Sequence, residues 1–229
     1  MNNKVYIIIP AYNEEKKISK VIDNVLLKYE NVIIVDDCSS DNTLEIVKNK
    51  NVILLHHIIN RGQGAALETG TKKAMELGAE VFVHFDADGQ FLAEDIEKII
   101  HPIIKGEAEI VFGSRFLDNK TNLPFTKKYL IMPVARFILK KIYKSSLTDP
   151  QNGFRAFSRK VAKELNIDND GAAHCTEIIN KAHKNKWKIK EVPITVNYDD
   201  FGQGVFSGKG RGTGGVKILI DLFINKLIS

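Results

Sequence analysis

The stretch VHFDADGQF, residues 83–91, closes an apolar run, Val81-Phe82-Val83-His84-Phe85, with two acids one residue apart. They are Asp86 and Asp88, and Gly89 and Gln90 follow. Two carboxylates this close raise each other's pKa unless positive charge sits between them. A divalent cation meets that need. Mg²⁺ takes one or two protein carboxylates and completes its shell with water and substrate phosphates. Gln90 offers a further oxygen for ligation or for holding a water. The competing reading is an Asp-Ala-Asp-Gly turn, since Asp and Gly are ordinary turn formers. The place of the triplet, at the end of an apolar run and among other polar loops, favours the metal.

A second acidic pair, Asp36 and Asp37, ends another apolar run. One of them could accept hydrogen bonds from a base N–H or a ribose hydroxyl, as acidic residues do in dinucleotide-binding folds. Asp37 or Ser39 could equally cap the helix that follows. The segment NRGQGAALETG is glycine-rich, but it lacks the GK[ST] ending of a phosphate-binding P-loop. Gly62 and Gly64 allow close backbone approach. Arg61 either pairs with a phosphate or is a solvated arginine.

These loops need elements to carry them. Val5–Ile9 is a β-rich run closed by Pro10. From Glu14 to Tyr29 the apolar residues Ile18, Val21, Ile22, Val25, Leu26 and Tyr29 share one helical face. Val32–Val35 reads as a buried strand, and Asp41–Lys48 as a short helix. Val52–Leu55 and Val81–Phe85 read as further strands, with a helix over Gly64–Leu77 between them. This alternation predicts an α/β fold with a mostly parallel sheet covered by helices on both faces. Ligands bind such sheets outside the carboxyl ends of the strands. The motifs PAYNEE, DDCSSDNT, NRGQG and DADGQ all follow strands, so four loops should converge on one rim. Further on, Ile110–Phe112 leads into GSRF, and a helix is expected around Thr176–Lys186. No low-complexity linker or internal repeat interrupts the chain, which reads as one domain over 1–229.

The composition is that of an ordinary globular protein, with 229 residues, 44% hydrophobic and 27% charged. A net charge of +5 is compatible with an anionic partner or with a lysine-rich solvated surface. Cys38 and Cys175 lie far apart and suggest neither a disulfide framework nor zinc, which favours a reducing compartment. The N-terminal apolar run is too short for a signal peptide. No stretch reaches the roughly 18 apolar residues that span a bilayer.

Together, IPAYNEE, VDDCSSDNT, NRGQGAALETG, DADGQF and GSRF resemble the family 2 glycosyltransferases of GT-A fold. The later TDPQNGFRAF and KIKEVPITVNY resemble the polyprenyl (dolichyl) phosphate sugar synthase branch. The resemblance runs in order over nearly the whole chain. It implies a nucleotide diphosphate sugar donor of GDP-mannose or UDP-glucose type, Mg²⁺ or Mn²⁺, and an isoprenoid monophosphate acceptor. On this chain it places Pro10, Tyr12 and Glu14 at the base-binding loop and makes Asp37 the nucleoside contact of its pair. Asp86, Asp88 and Gln90 match the metal and diphosphate motif, and Arg115 the arginine of the acceptor-phosphate region. Two features depart from the pattern. Gln63 stands where many relatives carry lysine, and the C-terminal transmembrane helices of many relatives are missing. The QxxRW motif of processive synthases does not occur, so polymerisation is not expected.

The resemblance implies a single displacement at the anomeric carbon with inversion. Lys209 or Arg211 of the segment SGKGRG, with the cation, would stabilise the departing diphosphate. A phosphate monoester has a second pKa of about 6 and is mostly dianionic near neutral pH. Asp149 of TDPQNG, which resembles the family's proposed base, is therefore expected to act mainly by positioning. Lys127–Lys144 and 215–228 are apolar and basic, too short to span a bilayer and suited to lying in its interface. Arg136, Lys140 and Lys144 form a basic stripe in the first, and Arg136 is taken as an acceptor contact. The same segments would also suit core helices, a homo-oligomeric contact or a membrane subunit.

The expected activity is transfer to a polyprenyl or dolichyl phosphate by a peripheral, monotopic enzyme at the cytoplasmic membrane face. The alternatives are transfer to a glycan or soluble hydroxyl, and nucleotide-sugar binding without catalysis. Nucleic acid is not an expected partner, because the basic residues lie beside aliphatic rather than stacking side chains.

Overall fold

The computed structural model describes residues 4–117 and 147–197. Within them lie seven strands: β1 (Val5–Ala11), β2 (Val32–Asp36), β3 (Ile53–His56), β4 (Val81–His84), β5 (Ile110–Ser114), β6 (Arg155–Ser158) and β7 (Ile189–Pro193). They form one sheet in the order β3-β2-β1-β4-β6-β5-β7. All run the same way except β6, which is antiparallel to both β4 and β5. The helices are α1 (Ile18–Leu26), α2 (Thr43–Lys48), α3 (Gln63–Glu76), α4 (Asp95–Ile104), α5 (Arg159–Glu164) and α6 (His174–Lys184).

The period-2 alternation of strand side chains splits the core into two layers. Ile7 and Ile9 of β1, Val32 and Ile34 of β2, and Val81 and Val83 of β4 pack with α1 and α4 on one face. Tyr6, Ile8, Ile33, Val35 and Phe82 pack with α3, α5 and α6 on the other. Gly70 lets α3 lie flat on the sheet, since a Cβ there would stand 2.4 Å from the Ile8 side chain.

The differences from the expected elements have local causes. β1 continues through Pro10, although proline cannot donate to a ladder. The Phe85 N–H donates to the Ile8 carbonyl, so Ile8 faces β4 and Pro10, two residues on, faces the same way. The β1–β4 pairing ends at Ile8 and His84, whereas β1–β2 pairing continues to Ala11 and Asp36. Proline therefore falls where no neighbouring strand needs its N–H. α1 begins at Ile18 rather than Glu14: the Glu14 carbonyl accepts from the Lys17 and Ile18 N–H groups in a turn that precedes the helix, and the Glu14 and Glu15 N–H groups donate to Thr43, the first residue of α2, and to Asp41 before it. Four elements carry no sequence expectation: α4, β6, α5 and β7, the last lying in a segment read only as the motif KIKEVPITVNY. α4 has a clear apolar face, Ile96, Ile99, Ile100 and Ile103, but Pro102 in its last turn obscures it. β6 and α5 follow a loop motif and are four and six residues long.

The orientation of β6 positions the site. Because β6 runs against its neighbours, its start lies at the edge where β4 and β5 end. Asp149–Phe154 therefore join the loops after β1, β2, β3 and β4 on one rim.

Candidate active site

Hydrogen bonds stitch the four loops of the rim together in sequence. The Asn13 N–H donates to Ser39 Oγ at 2.9 Å, and Asn13 Oδ1 accepts from the Ser40 N–H at 2.8 Å. Asn13 takes φ +56, a left-handed conformation that asparagine tolerates better than most residues. The second and third loops meet at Asp37. Its Oδ1 accepts from the Arg61 N–H at 3.0 Å, and its Oδ2 from the Gly62 N–H at 2.6 Å. His57 Nδ1 lies 2.7 Å from the same Oδ1, and His57 Nε2 lies 2.9 Å from Thr69 Oγ1. The third and fourth loops meet where Gln63 Nε2 donates to Asp86 Oδ1 at 2.9 Å.

The glycines of NRGQG serve a purpose other than the one their pattern suggests. A Cβ on Gly62 would lie 2.4 Å from the Asp170 carbonyl oxygen, and one on Gly64 2.0 Å from that of Asn169. The Gly64 N–H donates to the Asp170 carbonyl at 2.8 Å. The close approach is thus made by protein backbone, and the N–H groups of Gly62 and Gly64 are engaged within the protein. Arg61 is half-exposed and 3.8 Å from Asp170, a loose surface pair.

Asp86 and Asp88 sit at the end of β4, as the sequence suggests. Asp88 Oδ1 accepts from the Gln90 N–H at 2.9 Å, and the Gln90 carbonyl accepts from Asn197 at 2.9 Å. Burial, then the Asp88 carboxylate and negative charge on the Cys175 sulfur, push the Asp86 carboxyl up to about 7 against the opposing pull of Arg155 and His174. Glu14 is also raised, first by burial and then by Asp88. Three acids thus share one side of the rim and repel one another. Their hard oxygen donors suit Mg²⁺ or Mn²⁺. Among the described residues no group of three His, Cys, Asp or Glu could hold an ion unaided. Asp86 and Asp88 fit a cation that draws its remaining ligands from water and a diphosphate.

Across the rim, Arg115 and Asp149 form a two-pronged pair. Arg115 Nε donates to Asp149 Oδ2 at 2.6 Å and Nη2 to Oδ1 at 2.7 Å. Asp149 Oδ2 also accepts from Asn152 Nδ2 at 3.1 Å. Glu191 of β7 accepts from the Thr148 and Asp149 N–H groups and fixes this turn from below. Both oxygens of Asp149 are therefore engaged, and the residue is buried. Tyr12 stands half-exposed at the far side of the rim, and Pro10 is buried in β1. Arg136, Lys209, Arg211 and the segments 127–144 and 215–228 lie outside the described residues.

Residues 6–166 match the profile of glycosyl transferase family 2. The chain belongs to that family. It is 41% identical, over 97% of its own length and 96% of the other's, to a UDP-N-acetylglucosamine–dolichyl-phosphate N-acetylglucosaminyltransferase of Methanococcus voltae. A polyprenol monophosphomannose synthase of Mycolicibacterium smegmatis is 26% identical, over 90% of this chain and 82% of that one. Among solved structures, glucosyl-3-phosphoglycerate synthase of Mycobacterium tuberculosis with Mn²⁺, UDP-glucose and phosphoglyceric acid superimposes with a TM-score of 0.67 at 16% identity. That likeness covers 86% of this chain and 73% of the other, and it establishes the GT-A fold.

Three further residues that the sequence reading did not single out hold these loops. His57 braces Asp37 against α3. Gly153 lies against Asp86, where a Cβ would stand 2.5 Å from Oδ2. Arg155 is fully buried beneath both. The twin histidines of LLHHI and an arginine between Phe154 and Ala156 in an apolar run were the available signals.

Proposed function

We propose that this enzyme transfers a sugar from a nucleotide diphosphate sugar to a polyprenyl or dolichyl phosphate. The observation that carries the reading is the full-length relationship to a dolichyl-phosphate N-acetylglucosaminyltransferase, together with a rim that pairs acids on one side with a fixed arginine on the other. UDP-N-acetylglucosamine is the first donor to test.

Asp86 and Asp88 would hold Mg²⁺ or Mn²⁺, with Gln90 beside them, and the cation would offset the charge of the departing diphosphate. Tyr12 offers an exposed ring for the base, and Glu14 and the Asp37-braced Asn60–Gly62 loop would line the nucleoside. Arg115 would bind the acceptor phosphate, for which a planar fork suits two oxygens. Asp149 acts by positioning that guanidinium: both its oxygens already accept hydrogen bonds, and a dianionic phosphate needs no base. By sequence, Arg136, Lys209 and Arg211 would add positive charge around the phosphates.

The 229 residues would work as a single catalytic domain attached peripherally to the cytoplasmic membrane face through 127–144 and 215–228. Both cysteines are free, in keeping with a reducing compartment, and no helix among the described residues is long and apolar enough to cross a membrane. Replacing Phe137, Ile138 and Leu139 with serine should release the protein from anionic vesicles while sparing turnover of a short soluble acceptor. Retention on vesicles would refute that attachment. The activity itself is tested by a panel of nucleotide sugars with a short polyprenyl phosphate. Sugar transferred only to a free hydroxyl acceptor would overturn the reading.

A further inference from the structure

Beneath the metal-side acids lies a buried arginine that the proposed chemistry does not use. Arg155, the first residue of β6, has no exposed surface. Its Nε donates to the Gly153 carbonyl at 3.1 Å, and its Nη2 donates to the Asn152 carbonyl at 3.2 Å and to Cys175 Sγ at 3.0 Å. Nη1 is buried without a hydrogen-bond partner among the described residues. A desolvated guanidinium with an unpaired N–H is costly and calls for an explanation.

The neighbours of Arg155 supply one. The turn it clamps, Asn152–Gly153, touches both ends of the rim. Asn152 Nδ2 donates to Asp149, which holds Arg115. Gly153 lies flush on Asp86, where a Cβ would meet Oδ2 at 2.5 Å, Oδ1 at 2.9 Å and Cγ at 3.1 Å. Rings lock the two segments together: Phe154 stands 5.1 Å from both Phe85 and Phe91, which flank the Asp86–Gln90 loop. Gln63 closes the other side of Asp86. The carboxylate thus has a seat with a floor of glycine and a wall of glutamine.

We infer that Arg155 and Gly153 are positioning residues, which together set the place of the Asp86 carboxylate and tie it to the Arg115–Asp149 pair. Arg155 fixes the turn, and the turn, bare of a side chain at Gly153, fixes the depth at which Asp86 sits. The inference rests on the reading of Asp86 as a metal-binding carboxylate.

The test uses the whole chain with UDP, and follows Mn²⁺ binding by the loss of the free-ion paramagnetic resonance signal. Wild type should bind the ion; failure to do so removes the metal reading and this inference with it. Gly153→Ala should weaken Mn²⁺ binding at least tenfold while circular dichroism and the UDP-free fold are retained. The backbone of Gly153 does not lie in the left-handed region, and the three atoms nearest to an added Cβ all belong to Asp86. In an Asp86→Ala background, which removes the clashing atoms, Gly153→Ala should leave the melting temperature unchanged. Arg155→Lys, which keeps the charge but cannot reach both carbonyls, should raise the Mn²⁺ requirement and the acceptor KM together. Wild-type Mn²⁺ binding by Gly153→Ala would overturn the inference, as would an equal loss of melting temperature with and without Asp86. If Arg155→Lys does not fold, the two Gly153 variants decide alone.

Discussion

The two sides of the rim are held in different ways. On the side proposed for the donor, between β1 and β4, polar side chains and backbone N–H groups bridge from loop to loop: Asn13 to Ser39 and Ser40, Glu14 to Thr43, Asp37 to Arg61 and Gly62. Most of these bonds are individually modest, each worth about 1 kcal/mol net. On the side proposed for the acceptor, a few charged contacts hold the turns, namely Arg115 on Asp149, Glu191 under the 148–149 turn, and Arg155 under the 152–153 turn. Distributed bonding tolerates the loss of one member. Concentrated charge does not, because removing one partner strands the other without water.

The comparison can be broken or sharpened by substitution. The largest effect is expected at the metal. Asp88→Asn should keep the fold and lower transfer by about two to three orders of magnitude, since metal stabilisation of the leaving group contributes several kcal/mol. Steady-state kinetics with and without EDTA checks this, and near-normal turnover in EDTA would refute it.

Next come the acceptor-side charges. Arg115→Ala leaves Asp149 buried without its ion pair, and should cost both stability and acceptor handling while leaving donor affinity nearly intact. Asp149→Asn should lower kcat/KM for the acceptor by about tenfold to a hundredfold without removing a limb of the pH–rate profile. Loss of the acidic limb would instead identify Asp149 as a general base. Calorimetry with donor and acceptor separates the two contributions.

Smaller still is a pH effect on stability. The Asp86 carboxyl is raised from 3.8 in the unfolded chain to about 7 in the fold. Between those values the folded state holds a proton that the unfolded state has released. Stability from this group is therefore fully present below 3.8 and is lost as pH rises through about 7. The melting temperature of the metal-free wild type, relative to Asp86→Asn, should fall by on the order of a few °C across that window. Mn²⁺ with UDP should reverse the fall. A difference that grows with pH would contradict the sign.

The smallest effect is expected on the donor side. Ser39→Ala removes one acceptor for the Asn13 N–H, an exposed hydrogen bond that water can replace. It should cost about 1 kcal/mol or less in urea unfolding and leave kcat within a few fold. A collapse of activity would show that the donor loops are as concentrated as the acceptor side.

The same contrast explains what the sequence revealed. The donor half is built from contiguous units, a strand followed by its loop and helix, so apolar periodicity located β1 to β4 and the polar motifs located the rim. Asp86 and Asp88 were legible because two acids end an apolar run. The acceptor half is built from partners 34 residues apart, Arg115 and Asp149, and from a short strand running against the sheet. Neither has a local pattern. β6 was hidden because its four residues follow a turn motif and begin with a buried arginine. The glycines of NRGQG were legible as a close approach, but the approaching group is the backbone of 169–170, which is more than a hundred residues away in the chain. Spacing shows that something comes near; only the tertiary structure shows what it is.

The most direct test is a single reaction. The enzyme is incubated with UDP-N-acetylglucosamine, Mn²⁺ and a short polyprenyl phosphate, and the lipid is analysed by mass spectrometry. The account predicts a lipid heavier by one sugar residue, formed only when the metal is present and only when the acceptor carries its phosphate. Equal transfer to the corresponding polyprenol, or UDP release with no glycosylated lipid from any donor in the panel, would contradict it.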